Sequence, residues 1–261
     1  MELSFDEIAA QFDDQRGLPK AALREWIAFV ASLANGRWLR VIEPGIGTGR
    51  IALPLAVAGH HVTGVDISAP MLDACARRAS EMGVAERMTL LQGDATSLPV
   101  NDHAFDLGVM ASLLYLVPDW DAVLDELHRV VIPGGAILHL VERTESGENL
   151  RRWDIAWRER IEGTGYRHAS LRPTSDEVVT EFRRRWPETR VERLASWTFG
   201  QTVAEGRHRF DERLCPLYAG VDEGAWSRVV GDFLRWSEEA FPNPATRLDG
   251  DVVLEVLIAR P

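Results

Sequence analysis

Between Arg37 and Leu140 the sequence alternates between two hydrophobic periods, and this alternation limits the fold more than any other feature. Short apolar runs read as strands at 38–43, 61–66, 88–92, 105–110 and 135–141. Segments with apolar residues three and four apart read as helices at 48–58, 69–82 and 119–130. Strands that are joined through helices lie parallel, because a tight turn can only join antiparallel neighbours. The expected class is α/β, a doubly wound, mostly parallel seven-stranded sheet with helices on both faces. Asp119 stands as an N-cap ahead of Trp120, Val123, Leu124 and Leu127, and Pro133-Gly134-Gly135 supplies a turn. Pro54 falls inside the first of these helices and removes an amide donor, so a kink is expected there.

The flanks follow other patterns. Two N-terminal helices are expected over 5–34, broken at Gly17-Leu18-Pro19. Beyond Glu142 the alternation stops, and Leu150, Trp153, Trp157 and Ile161 form a helical stripe. A capping box, Thr174-Ser175-Asp176-Glu177, opens a second stripe of Val178, Val179, Phe182 and Trp186. A strand-like run from Val191 to Phe199, a helix near 223–240 and a closing strand, Val252 to Ile258, complete the chain. The division this suggests is N-terminal entry helices at 1–36, a ligand-binding core at 37–146, a helical cap at 147–250 that includes one sheet strand near 190–199, and a final sheet strand at 251–261. Charge supports a distinct cap: residues 1–142 carry 19 acids against 10 bases, whereas residues 143–213 carry 13 against 15.

A formal charge of −11 disfavours nucleic acid, whose binding rests on phosphate neutralisation by Lys and Arg. Cys75 and Cys215 stand alone, with no Cys/His spacing suited to a metal, so buried thiols and no metal are expected. No apolar run is long enough to span a membrane, and the acidic start Met1 to Glu7 is unlike a signal peptide. A cytoplasmic protein is expected.

The chemistry concentrates where the first strand meets its helix, at Glu43-Pro44-Gly45-Ile46-Gly47-Thr48-Gly49. Glycines let the backbone bend sharply and let a ligand approach, while a helix N-terminus offers unpaired amides. The second strand, His61 to Asp66, ends in an acid at the spacing that sets a carboxylate beside a ribose diol. An adenosine-type ligand follows from that pairing. The dinucleotide pattern G-x-G-x-x-G would need glycine at position 50, which is Arg50. Glu43 would repel a pyrophosphate but suits the ammonium and sulfonium of S-adenosylmethionine.

These segments resemble the class I S-adenosylmethionine-dependent methyltransferases, in particular the small-molecule branch that includes the quinone-biosynthesis C-methyltransferases. The resemblance runs from about Gln11 to Leu140. It rests on Val41 to Arg50, Val65-Asp66-Ile67-Ser68, Gly93-Asp94-Ala95, Phe105-Asp106-Leu107, Leu127-His128-Arg129-Val130-Val131 and Pro133-Gly134-Gly135. It implies a Rossmann-like fold and S-adenosylmethionine as the methyl donor. It further implies that Gly45, Gly47 and Gly49 hold the donor's methionine part, that Asp66 takes the ribose hydroxyls and that Ile67 lies against the adenine. Asp94 would accept from the adenine amino group with the Ala95 amide beside it, and the backbone near Met110 would meet the methionine ammonium. Phe12 and Arg16 resemble the family's entry helix, which closes over the donor.

Methyl transfer from a sulfonium needs mainly an acceptor held in line. Where a base is needed, the candidates are Tyr115, Glu142 and His168. The family often has a histidine where Tyr115 stands, and Tyr115 reads better as a pocket wall, since a phenol with a pKa of about 10 is a poor base at neutral pH. The Asn-Pro-Pro-aromatic motif of amine and amide methyltransferases is absent from Ala111-Ser112-Leu113-Leu114-Tyr115, which favours an oxygen or carbon acceptor over nitrogen. The tryptophans after Glu142 suggest an apolar or aromatic small molecule, or plain helix packing. Two alternatives share parts of the pattern: a nicotinamide-dependent oxidoreductase, and a catalytically silent S-adenosylmethionine-binding protein.

Overall fold

The computed structural model describes residues 18–163, 173–211 and 222–261. After helix α1 (Lys20–Ala34) the chain runs through β1 (Arg40–Pro44), α2 (Leu53–Val57), β2 (His61–Asp66), α3 (Ala69–Glu81), β3 (Met88–Gln92), β4 (Phe105–Ala111), α4 (Trp120–Val130) and β5 (Val131–Ser146). It continues with α5 (Glu148–Glu162), α6 (Ser175–Arg185), β6 (Arg190–Thr202), α7 (Val203–Asp211), α8 (Glu223–Ala240) and β7 (Arg247–Ala259). The sheet has seven strands in the order β3-β2-β1-β4-β5-β7-β6. Register is parallel between β1 and β2, β2 and β3, β1 and β4, and β4 and β5. The order reverses between β1 and β4. In an open α/β sheet that switch point opens a crevice at the carboxyl ends of the strands.

The expected α/β architecture is present, with local differences of physical origin. The helix after the glycine turn is short, starting only at Leu53, so Pro54 occupies its first turn instead of its interior. Proline is tolerated there because that amide has no helical partner to lose, so the reason for expecting a kink falls away. Pro133-Gly134-Gly135 does not delay β5, which starts at Val131, and the register against β4 shifts between Phe105 and Leu107. Helix α7 is an addition that begins at a reciprocal capping box: Glu205 N–H donates to Thr202 Oγ1, and Thr202 N–H donates to Glu205 Oε2.

Among the described residues the chain forms two compact units, one built from 18–142, 173–195 and 254–261, the other from 143–163, 196–211 and 222–253. The first holds the parallel strands. Its core includes Ile42, Val65, Met110, Leu124, Leu127 and Ile137, joined by Phe182 and Trp186 of the α6 segment. Each large side chain buried this way contributes about 1.5–3 kcal/mol. The second unit has its own core of Trp153, Trp157, Trp226, Phe233 and Phe241, with Trp153 and Phe233 packed edge to face at 4.8 Å. Those tryptophans thus serve helix packing. The run Arg183-Arg184-Arg185, which reads as a solvated face, is only partly so: Arg185 pairs with Asp121, Asp125 and Glu181.

Candidate functional site

β1 delivers its last residues to the turn, where Gly47 and Gly49 take φ of +54° and +83°. These angles disfavour any residue with a Cβ. Gly49 is further required by packing, since a Cβ there would lie 2.7 Å from Leu53 and 2.8 Å from Cys75 Sγ. Gly47 differs, because a Cβ there would meet no atom within 4 Å. The turn is pinned from behind. Gly45 and Ile46 donate to Val65 O at 2.7 and 3.1 Å, and Arg78 donates to Thr48 O at 2.8 Å.

Asp66, at the end of β2, accepts from Gly47 N–H at 2.7 Å through Oδ2 and from Ser68 N–H at 2.9 Å through Oδ1. The next residue, Ile67, is 71% exposed, unusual for a side chain of its kind, and Gln92 donates to its carbonyl at 3.0 Å. Beyond β3, Asp94 Oδ1 accepts from Thr96 N–H and Oγ1, both at 2.8 Å, which fixes the carboxylate. Ala95 packs against the core.

Glu43 is the outlier. It is 2% exposed, and its Oε2 has no hydrogen-bond partner. Burial pushes its carboxyl well above the usual range, while the Arg50 charge and a hydrogen bond from Ala52 N–H partly counter this. Leaving such a group buried and half-satisfied costs stability. An orphaned acid beside an open glycine cradle fits a ligand that carries positive charge.

Arg50 connects this turn to the ends of two other strands. Its Nη1 donates to Glu142 Oε1 at 2.7 Å, and its Nη2 approaches Ser112 Oγ at 3.5 Å. Ser112 directly follows β4 and holds φ of +55°, a conformation costly for a residue with a side chain. Met110, two residues earlier, is fully buried, with its main chain in register with His139 of β5. Tyr115 lies in the short turn Leu114–Leu116 just beyond.

A methyltransferase-domain family model matches residues 42–139, a span that contains all of these groups except Glu142. The chain is 28% identical over 220 residues to a demethylmenaquinone methyltransferase of Clavibacter sepedonicus, covering 83% of this chain and 88% of that one. It is 38% identical over 108 residues to a phosphatidylethanolamine N-methyltransferase of Cereibacter sphaeroides, covering 41% of this chain and about half, 53%, of that one. The YcgJ protein of Bacillus subtilis has a similar fold, with a TM-score of 0.57 at 18% identity, over 91% of this chain and 99% of that one. Residues 42–139 thus carry a methyltransferase domain, and the chain is similar to the class I S-adenosylmethionine-dependent methyltransferases.

In this methyltransferase, Glu43, Gly45, Gly47, Gly49, Asp66, Ile67, Asp94, Ala95 and Met110 all fall in one structural unit, most at strand ends or in the loops that follow them. The unit's remaining base candidates, Tyr115 and Glu142, stand after β4 and in β5. Phe12, Arg16 and His168 lie outside the described residues, as does Cys215, whereas Cys75 is buried. The family match favours methyl transfer over the nicotinamide reading, and Arg50 stands where the dinucleotide pattern needs glycine. Two participants are not evident from sequence: the Arg50–Glu142 pair spans 92 positions, and the backbone of Ser112 carries no motif. Among the described residues, no cluster of three or more His, Cys, Asp or Glu is placed to hold a metal, and no helix is long and apolar enough to cross a membrane.

Proposed function

We propose that this methyltransferase moves the methyl group of S-adenosylmethionine to a carbon or oxygen of a small quinone-type molecule in the cytoplasm. The observation that carries the donor assignment is the buried, half-satisfied carboxyl group of Glu43 at the head of a turn in which a Cβ on Gly47 would meet no atom within 4 Å. Gly45, Gly47 and Gly49 cradle the methionine part, while Glu43 and the main chain near Met110 face its positive end. Asp66, already oriented by two amides, receives the ribose hydroxyls. Ile67 covers one face of the adenine, Asp94 and the Ala95 amide read its edge, and Phe12 and Arg16 close over it. When bound, the donor supplies a methyl group already activated on sulfur.

The chain's own task is to orient the acceptor and exclude water. Tyr115 lines the acceptor side as a wall. Glu142 is engaged by Arg50 and is a poor choice of base; His168 remains a candidate for that role. The relative named for demethylmenaquinone, alike over most of both chains, supports a quinone-type ring as acceptor. The net charge of −11 speaks against a nucleic-acid substrate.

A second reading, transfer to an amine, is favoured by the more identical but shorter match to the phosphatidylethanolamine enzyme. Labelled S-adenosylmethionine offered with naphthohydroquinones, phenols and ethanolamine lipids, with products identified by mass spectrometry, separates the two. Methyl on ring carbon or oxygen supports the proposal; methyl on nitrogen alone replaces it. Donor binding without transfer to any acceptor would leave a silent donor-binding protein.

A further inference from the structure

β1 brings a carboxyl group into the interior just ahead of three glycines with left-handed backbone. Glu43 is 2% exposed, and Gly45, Gly47 and Gly49 follow it at φ of +65°, +54° and +83°. Its neighbour in register on β2 is Gly64, which has no side chain to offer. The carboxyl accepts from Ala52 N–H, while Oε2 has no hydrogen-bond partner. Among the described residues two charges face it, Arg50 at the end of the turn and Asp66 at the end of β2, and they act in opposite directions. Arg50 is also held by Glu142 at 2.7 Å. A carboxylate removed from water and left with an uncompensated oxygen is costly enough that the group takes up a proton instead. Burial is the largest influence on Glu43 and favours its neutral form. A cation arriving within about 4–6 Å reverses that balance, the more so where water is excluded.

We propose that Glu43 holds a proton in the unliganded protein and loses it when the ammonium of S-adenosylmethionine enters the glycine turn, so that donor binding releases one proton and tightens as pH rises. This rests on the donor reading above and deepens it. The O–H bond of the carboxyl breaks, the proton passes to solvent, and the carboxylate left behind pairs with the ammonium; nothing is oxidised or reduced. Asp66, whose oxygens accept from the Gly47 and Ser68 amides, meets the neutral ribose and contributes no proton. Where Glu43 is protonated in the unliganded protein, each unit of acid lowers donor affinity by up to about tenfold, and the affinity levels off above that range. The acid thereby selects a cationic ligand without leaving a bare charge buried between turnovers.

The test is isothermal titration of the full chain with S-adenosylhomocysteine, which keeps the ammonium, at about pH 6 in buffers of different ionisation enthalpy. The slope of the observed heat against that enthalpy counts the protons released. The wild type releases about 0.5–1 proton per ligand, and its affinity rises at least about threefold between about pH 5.5 and about pH 7.5, below the ordinary α-amino range of about 8. Glu43→Gln binds more weakly, releases no proton and has an affinity that is flat over the same range. 5′-Methylthioadenosine, which keeps the adenosine and the sulfur but has no ammonium, releases less than about 0.2 proton from the wild type.

Proton release that persists in Glu43→Gln overturns the proposal. So does equal release with 5′-methylthioadenosine, which would move the proton to Asp66 or another group beside the ribose. If Glu43→Gln is misfolded or either arm gives no measurable binding, the other arm and the pH profile of the wild type decide. Failure of the wild type to bind S-adenosylhomocysteine sinks the underlying donor reading. Normal binding of it with no proton released sinks the Glu43 assignment alone.

Discussion

Gly47 and Asp66 are joined by a 2.7 Å hydrogen bond from the glycine amide to the carboxylate, across 19 positions of sequence. The bond locks the tip of the glycine turn to the end of β2. One side chain thus shapes the cradle and presents the acid assigned to the ribose. Asp66→Ala is expected to weaken S-adenosylhomocysteine binding by at least tenfold, or about 1.4 kcal/mol, because both functions are lost. Asp66→Asn keeps the shape and one acceptor, so it should fall between. Isothermal titration of the three proteins checks the order, and equal affinity for all three contradicts the role.

The glycines of the turn should separate ligand binding from stability. At Gly49 a methyl group meets Leu53 and Cys75 Sγ at under 3 Å, so Gly49→Ala is expected to destabilise the fold by about 1–3 kcal/mol through overpacking. At Gly47 the same methyl enters open space, so Gly47→Ala costs only the left-handed backbone, about 1 kcal/mol, while protruding into the donor's position. Thermal melts with and without S-adenosylhomocysteine report both effects. Loss of the ligand-induced rise in Tm is expected for Gly47→Ala.

Glu43 is predicted to trade stability for binding. Its folded pKa is raised by burial, so its contribution is complete below the ordinary value of 4.5 and is lost as pH rises through the folded value. At neutral pH without ligand it is a liability. Glu43→Gln should therefore raise the Tm of the free protein by about 2–4 °C, corresponding to about 1 kcal/mol, while weakening S-adenosylmethionine at least tenfold. A variant that melts lower and binds normally would assign Glu43 a purely structural part.

His139 gives a pH signature for the core. It is buried against Phe182 and its pKa is pushed down to about 4 from 6.5, chiefly by burial. The unfolded chain binds its proton first, so stability falls as pH drops from 6.5 towards 4, by up to about 3 kcal/mol at about 1.4 kcal/mol per unit. Denaturant titrations across this range should show a shallower slope in His139→Leu. An unchanged slope would mean that other groups carry the acid sensitivity.

The frame of the candidate donor site is legible in sequence because its parts are local: a glycine turn after a strand, an acid at the next strand's end and another beyond the third. Each follows from backbone geometry within a few residues. Helix limits were less so. Pro54 fits a helix interior only at a cost and fits its first turn freely, and α7 declares itself only through the Thr202 and Glu205 capping box. Long-range contacts are least legible. Arg50 meets Glu142 only after three more strands have been laid into the sheet, and no periodicity encodes such a long-range contact. Likewise, the Trp153 and Trp157 stripe reads equally as a pocket wall or a core until Phe233 and Trp226 pack against it.

The most direct measurement is isothermal titration of the folded full chain with S-adenosylhomocysteine. One site per chain with a Kd in the range of about 1–50 μM, lost in Asp66→Ala, is the predicted result. No heat up to about 100 μM ligand from a protein shown to be folded would contradict it.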